Sequence, residues 1–178
     1  MKLFYSITGT IFALVLLFLI YIYSGSYNPG SLSKHNGLTL WTIKTTLSHS
    51  IEKRAKNISV PSNLNDSSVI QMGFNHFNEM CTGCHGAPGI KPNEAAKGLY
   101  PAAPLIYKFA NNMNPKTTFW VIKNGIKMSG MPALSPTHSD DKIWAITAFI
   151  TKKLGKMNAD EYKAWQMKYK SMDMGDDK

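Results

Sequence analysis

The chain holds only two cysteines in 178 residues; they lie three apart and a histidine follows at once, Cys81-Thr82-Gly83-Cys84-His85. Cysteines this close cannot staple a fold, because a disulfide framework needs more of them at longer separations. A zinc site would need two further ligands at matching spacing, and no other cysteine exists to give them. A thioredoxin-like dithiol belongs in a βαβ setting, yet no segment alternates apolar and polar residues as a strand does. The adjacent histidine decides the matter: Cys-x-x-Cys-His is the attachment pattern of a c-type haem. Each thiol adds to one vinyl group, and the two intervening residues let both sulfurs reach the porphyrin edge. The imidazole of His85 then lies beneath the iron as an axial ligand. Gly83 and Gly86 let the backbone approach the macrocycle closely. One covalently bound haem c, on Cys81 and Cys84, is the expectation.

The N-terminus is of another kind. Leu3 to Tyr23 is almost unbroken apolar sequence. As helix it would span about 31 Å at 1.5 Å per residue, matching a hydrocarbon core. Tyr21 and Tyr23 sit where an interfacial aromatic belt would lie. The competing reading is a cleaved signal peptide, with Lys2 as a thin positive region and Ser24-Gly25-Ser26 as a small-residue cleavage site; the apolar stretch is long for that role. An anchor over residues 1–23 is therefore expected, with everything after it exported to the outer, periplasmic side of a bacterial cytoplasmic membrane.

Residues 24–65 read as a linker that carries an amphipathic helix. Ser24 to Lys34 is rich in Ser, Gly, Pro and Asn. Between Leu38 and Lys56, Leu40, Ile43, Leu47 and Ile51 recur at helical spacing, with Lys53, Arg54 and Lys56 at the end that the macrodipole favours. Such a helix either lies near a membrane or partner, or packs on the main domain. The compact domain is expected over residues 66–156, all-α. Its first helix starts at Asn65/Asp66 and carries Val69, Ile70, Gly73, Phe74 and Phe77 toward the cysteines. A second follows Asn114 and Pro115, includes Phe119, Trp120 and Ile122, and ends at Gly125. A third is capped by Ser139 and carries Ile143, Trp144, Ile146, Phe149 and Ile150 to Gly155. Residues 157–178 form a C-terminal helix and tail: Asn158 caps, Tyr162, Trp165, Tyr169 and Met172 share a face, and the tail SMDMGDDK frays.

A second axial ligand has several candidates. Met131 lies between Gly130 and Pro132 in an extended loop, 46 residues after His85, and Met128 is its near rival. Methionines are often mere core fillers, and this chain has ten. His35, His49, His76 and His138 could in principle give a bis-His iron, which would lower the potential; each reads better as a surface or capping residue.

Together these elements resemble a class I cytochrome c, of the small bacterial membrane-anchored kind, over residues 66–154. The likeness rests on Gly73 with Phe77 four residues on, the CTGCH box, the helix before Gly125, the Gly130-Met131-Pro132 loop, and the last helix with Trp144 and Phe149. It implies that first and last helices cross where the small glycine meets the aromatics. It implies His85 and Met131 as the axial pair, and packing of the loop with Pro101, Pro104, Leu105 and Tyr107 on the haem edge.

Charge narrows the partners. The formal net charge is +9, yet it is dispersed, with one arginine and no basic block, which argues against nucleic acid. Ten lysines fall between Lys91 and Lys156 against only Glu94, Asp140 and Asp141. Such an excess either rings the haem crevice and steers an acidic redox partner, or is simply a solvated surface. The expected function is one-electron transfer without substrate chemistry. Its partners would be a quinol-oxidising complex and a terminal oxidase or reductase, as a shuttle or as a subunit. The alternative is a haem-based sensor or peroxidase-like enzyme, whose distal ligand would have to be displaceable.

Overall fold

The computed structural model describes residues 1–173, with side-chain positions to residue 169. Met172 and the tail of SMDMGDDK lie outside the described side chains. Contacts divide the chain into two units, Met1–Lys34 and His35–Lys178.

In the first unit, α1 (Lys2–Tyr23) is one continuous helix with no buried residue. Its few polar side chains are satisfied along the helix itself. Thr8 donates to the Phe4 carbonyl and Thr10 to that of Ser6, each at 2.9 Å. By length and composition α1 can cross a membrane, a test that signal sequences also pass.

The second unit is all-α, and among the described residues its one β-type pairing is the isolated bridge between Ala87 and Ile90. Helix α2 (Gly37–Ala55) begins where the Asn36 side chain accepts from the Thr39 N–H at 2.9 Å. It packs on α6 (Pro115–Asn124). Ala55 is buried, and the Lys116 ammonium donates to the Lys56 carbonyl at 3.2 Å, just past the end of α2.

The core forms where α3 (Ser67–His76) crosses α7 (Asp140–Ala148). Gly73 makes the crossing close: a Cβ there would lie 1.9 Å from the Ala145 carbonyl oxygen. Around it Phe74, Phe77, Ile143, Ile146, Phe149 and Leu154 are fully buried. Each such side chain contributes roughly 1.5–3 kcal/mol by leaving water. Both crossing helices then widen into a five-residue π-helical stretch, Phe77–Cys81 after α3 and Phe149–Lys153 after α7. The sequence reading treats each as continuous α-helix; nothing in local spacing marks the wider turn, which here accompanies the packing of Phe77 on Phe149 at 5.3 Å.

Caps follow the sequence unevenly. Asn114 accepts from the Lys116 N–H at 2.9 Å with Pro115 in the first turn of α6. Asp66 and Ser139 hold the N-cap positions of α3 and α7 but make no side-chain capping bond. Helix α8 (Ala159–Asp173) opens on a reciprocal capping box. The Glu161 N–H donates to the Asn158 side chain at 2.9 Å, and the Asn158 N–H donates to the Glu161 carboxylate at 3.0 Å. Tyr162, Trp165 and Tyr169 then pack on Phe74, with ring centroids 5.3, 5.4 and 5.8 Å away. The Tyr162 hydroxyl and the Gln166 amide both donate to the Asn78 side-chain oxygen, at 3.2 and 2.8 Å.

Candidate haem site

The Cys-His box is delivered by α3. After the π-helical stretch ending at Cys81, α4 (Thr82–His85) adds one more turn, so Cys81, Cys84 and His85 come from consecutive helical backbone. The Thr82 hydroxyl donates to the Asn78 carbonyl at 2.8 Å, tying this turn to the one before. Gly86 ends it in the left-handed region at φ 60°, and a Cβ there would lie 2.8 Å from the Ile90 carbonyl oxygen. Only glycine accommodates both the angle and the contact. The chain folds back at once, Ala87 and Ile90 exchanging backbone bonds of 3.0 and 2.8 Å. Asn93 donates from its backbone to the Gly83 carbonyl at 2.8 Å and caps the short α5 (Glu94–Lys97) with its side chain.

His85 is held by a loop it precedes by nineteen residues: its Nδ1 lies 2.8 Å from the Pro104 carbonyl oxygen. A carbonyl only accepts, so Nδ1 carries the proton and Nε2 presents its lone pair. That is the arrangement in which a hydrogen bond to the remote ring nitrogen orients a ligating imidazole. The two thiols are half-buried and unpaired with each other. Burial, with a smaller contribution from Cys84, pushes the Cys81 thiol up to about 12, so as a free thiol it would stay protonated and inert.

The two candidate methionines separate. Helix α6 ends at Gly125, φ 65°, where a Cβ would crowd the Met131 and Pro132 backbone at 2.6–2.8 Å. The loop that follows closes on itself: the Ile126 N–H donates to the Met131 carbonyl at 3.2 Å, and the Met131 N–H to the Ser129 hydroxyl at 3.2 Å. Met131 is half-buried and packs on the core. Met128 is 98% exposed at a positive φ of 57°, at the loop's outer tip.

Residues 99–104 tie both ends of the site together. Leu99 packs against Gly130, where a Cβ would meet its side chain at 2.4 Å, while Pro104 accepts from His85. Tyr100 between them accepts from the His35 N–H at 3.0 Å and holds the His35 ring at 5.2 Å. The sequence reading singles out Pro101, Pro104, Leu105 and Tyr107 in this loop but misses Leu99 and Tyr100. Their partners lie 31 and 65 residues away, beyond any local pattern.

The other histidines go elsewhere. His35 lies on Tyr100, and exposed His49 sits 3.9 Å from Glu52 on α2. His76 and His138 meet edge to face at 5.5 Å. Burial first, then His138 and Lys142, lowers the His76 pKa. Three of the ten lysines have structural partners: Lys123 pairs with Asp140 at 2.7 Å, Lys116 bonds the Lys56 carbonyl, and Lys153 lies over the Trp165 ring at 5.3 Å.

These residues fit a haem. Two thiols and an oriented imidazole share one turn, and Ile90, Tyr107, Met113, Met131 and Leu134 are half-buried apolar side chains against the core. No group of three or more His, Cys, Asp or Glu among the described residues could hold a bare metal ion.

One comparison with known proteins, to a family model, agrees with this chemistry. Residues 69–150, just under half the chain, match the family model described as cytochrome c oxidase, cbb3-type, subunit III. Among solved structures the chain is similar to cytochrome cL from the marine methylotrophic bacterium Methylophaga aminisulfidivorans, at 18% identity, over 83% of each chain, with a TM-score of 0.39. No curated protein gives a significant match. With helices crossing at Gly73, a Cys-His box at the end of the first, and a family model over both, residues 69–150 are a class I c-type cytochrome domain, the kind of domain that carries one haem c covalently and transfers electrons through it.

Proposed function

We propose that Cys81 and Cys84 form the thioether bonds, that His85 and Met131 are the axial ligands, and that the protein is an electron carrier without substrate chemistry. The observation that carries this reading is the 2.8 Å contact of His85 Nδ1 with the Pro104 carbonyl, which leaves the Nε2 lone pair free on a residue that shares its helical turn with both cysteines. When bound, the haem supplies a one-electron Fe(III)/Fe(II) couple. His85 would hold the iron through Nε2. Met131, packed on the core in a loop that closes against Gly125, would supply the second ligand and so exclude small ligands. The soft thioether raises the potential relative to a second imidazole.

Helix α1 anchors the chain in a bacterial cytoplasmic membrane with the haem domain on the periplasmic side. The donors and acceptors are redox complexes of that membrane, a quinol-oxidising complex and a terminal oxidase or reductase. The name of the matched family favours the oxidase as the complex served.

The test is spectroscopic. The oxidised full-length holoprotein should show the long-wavelength methionine-to-iron absorption band, and the reduced protein should bind carbon monoxide poorly. Met131→Ala should abolish the band and admit carbon monoxide, while Met128→Ala should change neither. A wild-type protein that lacks the band and binds carbon monoxide readily would instead be a sensor or peroxidase-like protein with a displaceable distal ligand.

A further inference from the structure

Helix α2 is amphipathic along its length, not only around its circumference. Its C-terminal half is tied to the haem domain through Ala55 and α6 and carries Glu52, Lys53 and Arg54. Its N-terminal end presents Leu38, 74% exposed, Trp41, 64% exposed, and the partly exposed Ile43. Lys44 follows Trp41 by three residues on α2, Lys34 precedes the helix in sequence, and both are exposed. Among the described residues Trp41 makes no ring or cation contact, and most of its large apolar ring faces water. Tryptophan beside an aliphatic residue, rimmed by lysines at a helix end, is the composition that seats at a lipid headgroup boundary.

The chain's own connectivity supplies the occupant. Residues 24–36 separate α1 from α2, thirteen residues rich in Ser, Gly and Asn. A flexible linker of that length has a root-mean-square reach of about 20 Å and cannot exceed about 45 Å. If α1 is in the bilayer, the apolar end of α2 is held near the same surface at a high effective concentration. Anionic headgroups complement Lys34 and Lys44. We propose that the N-terminal end of α2, through Leu38 and Trp41, docks on the lipid surface of the membrane in which α1 is anchored. The inference rests on the anchor reading of α1. Its consequence is orientational. Because His35 next to α2 holds Tyr100, in the loop that bonds His85, docking fixes which edge of the haem domain lies toward the membrane.

The experiment uses the full-length holoprotein in vesicles containing phosphatidylglycerol. With Cys81 and Cys84 consumed by the haem, an introduced cysteine is the one free thiol. Nitroxide labels are placed singly at Thr42→Cys beside Trp41, at Glu52→Cys near the far end of α2, and at Leu17→Cys within α1. Their collision rates with dioxygen and with a water-soluble nickel chelate are then compared. The docked state predicts lipid-like behaviour at position 42: nickel collisions about threefold or more below those at position 52, with dioxygen collisions raised. Trp41→Asp, at an exposed site, should return the position-42 label to water-like values while the haem spectrum stays unchanged. If position 17 reads as lipid but position 42 reads as water, the docking proposal is wrong and the anchor stands. If position 42 is shielded from both reagents, protein covers this face and the lipid assignment is wrong. If position 17 itself reads as water, the anchor reading fails and the docking proposal with it.

Discussion

Replacing Gly73 with alanine tests the helix crossing on which the haem site is built. In an exposed helix the change would stabilise by about 1 kcal/mol, because alanine loses less backbone entropy. Here the added methyl would sit 1.9 Å from the Ala145 carbonyl oxygen, 2.4 Å from its carbon and 3.0 Å from the Ile146 nitrogen. All three are backbone atoms of α7, so no rotamer change relieves the overlap. Reaching an ordinary contact requires the helices to separate by about 1.5 Å. That separation loosens Phe74 from Phe149, whose centroids are 5.4 Å apart, and opens a core whose residues are otherwise fully buried. Overpacking of this kind costs about 1–3 kcal/mol and sometimes more. Since no side chain can yield, the net loss is set at about 3 kcal/mol after the propensity gain. The assay is guanidinium unfolding of the holoprotein in detergent, followed by far-ultraviolet circular dichroism. The midpoint should fall by roughly 0.7 M with the slope unchanged. Gly98→Ala is the internal control, because a Cβ there meets nothing nearer than the Ala95 oxygen at 3.7 Å. A Gly73→Ala protein as stable as the wild type, or more so, would refute the close-crossing argument.

Other outcomes follow from single contacts. Asn78→Ala removes the shared acceptor of Tyr162 and Gln166 and should lower stability by about 1–3 kcal/mol, read from the unfolding midpoint. Asn158→Ala breaks the reciprocal cap of α8 and should cost about 1 kcal/mol, with amide exchange in residues 159–162 accelerating first. His76 has its pKa lowered by burial, by His138 and by Lys142, so the unfolded chain takes up the proton more readily than the folded one. Stability should therefore fall as pH drops through and below 6.5, and His76→Gln should flatten that decline in equilibrium unfolding at a series of pH values. Burial pushes the Tyr162 phenol up, so its contribution is complete below pH 10 and lost at higher pH; Tyr162→Phe should remove that alkaline loss.

What the sequence determined by itself was everything encoded within a few residues. CTGCH names its chemistry because both thiols and the imidazole must come from one helical turn. Asn114-Pro115 and Asn158 with Glu161 announce helix starts because a cap bonds only two or three residues ahead. The apolar run of α1 and the all-α character follow from periodicity alone. Position in the chain left Met131 and Met128 both open, and resemblance favoured Met131. The fold gives the two residues opposite surroundings, one against the core and the other almost wholly exposed. Only tertiary structure decided the long-range contacts: Pro104 on His85, Leu99 under Gly130, Tyr100 on His35, and Asn78 beneath α8. It also decided that α2 packs on α6 by one end while its Leu38 and Trp41 stay exposed. Such contacts join residues 19 to 88 positions apart, and they exist only once Gly73 lets two helix backbones meet. A helix carries its cap in its own sequence, but which distant carbonyl turns an imidazole is fixed by how the helices cross.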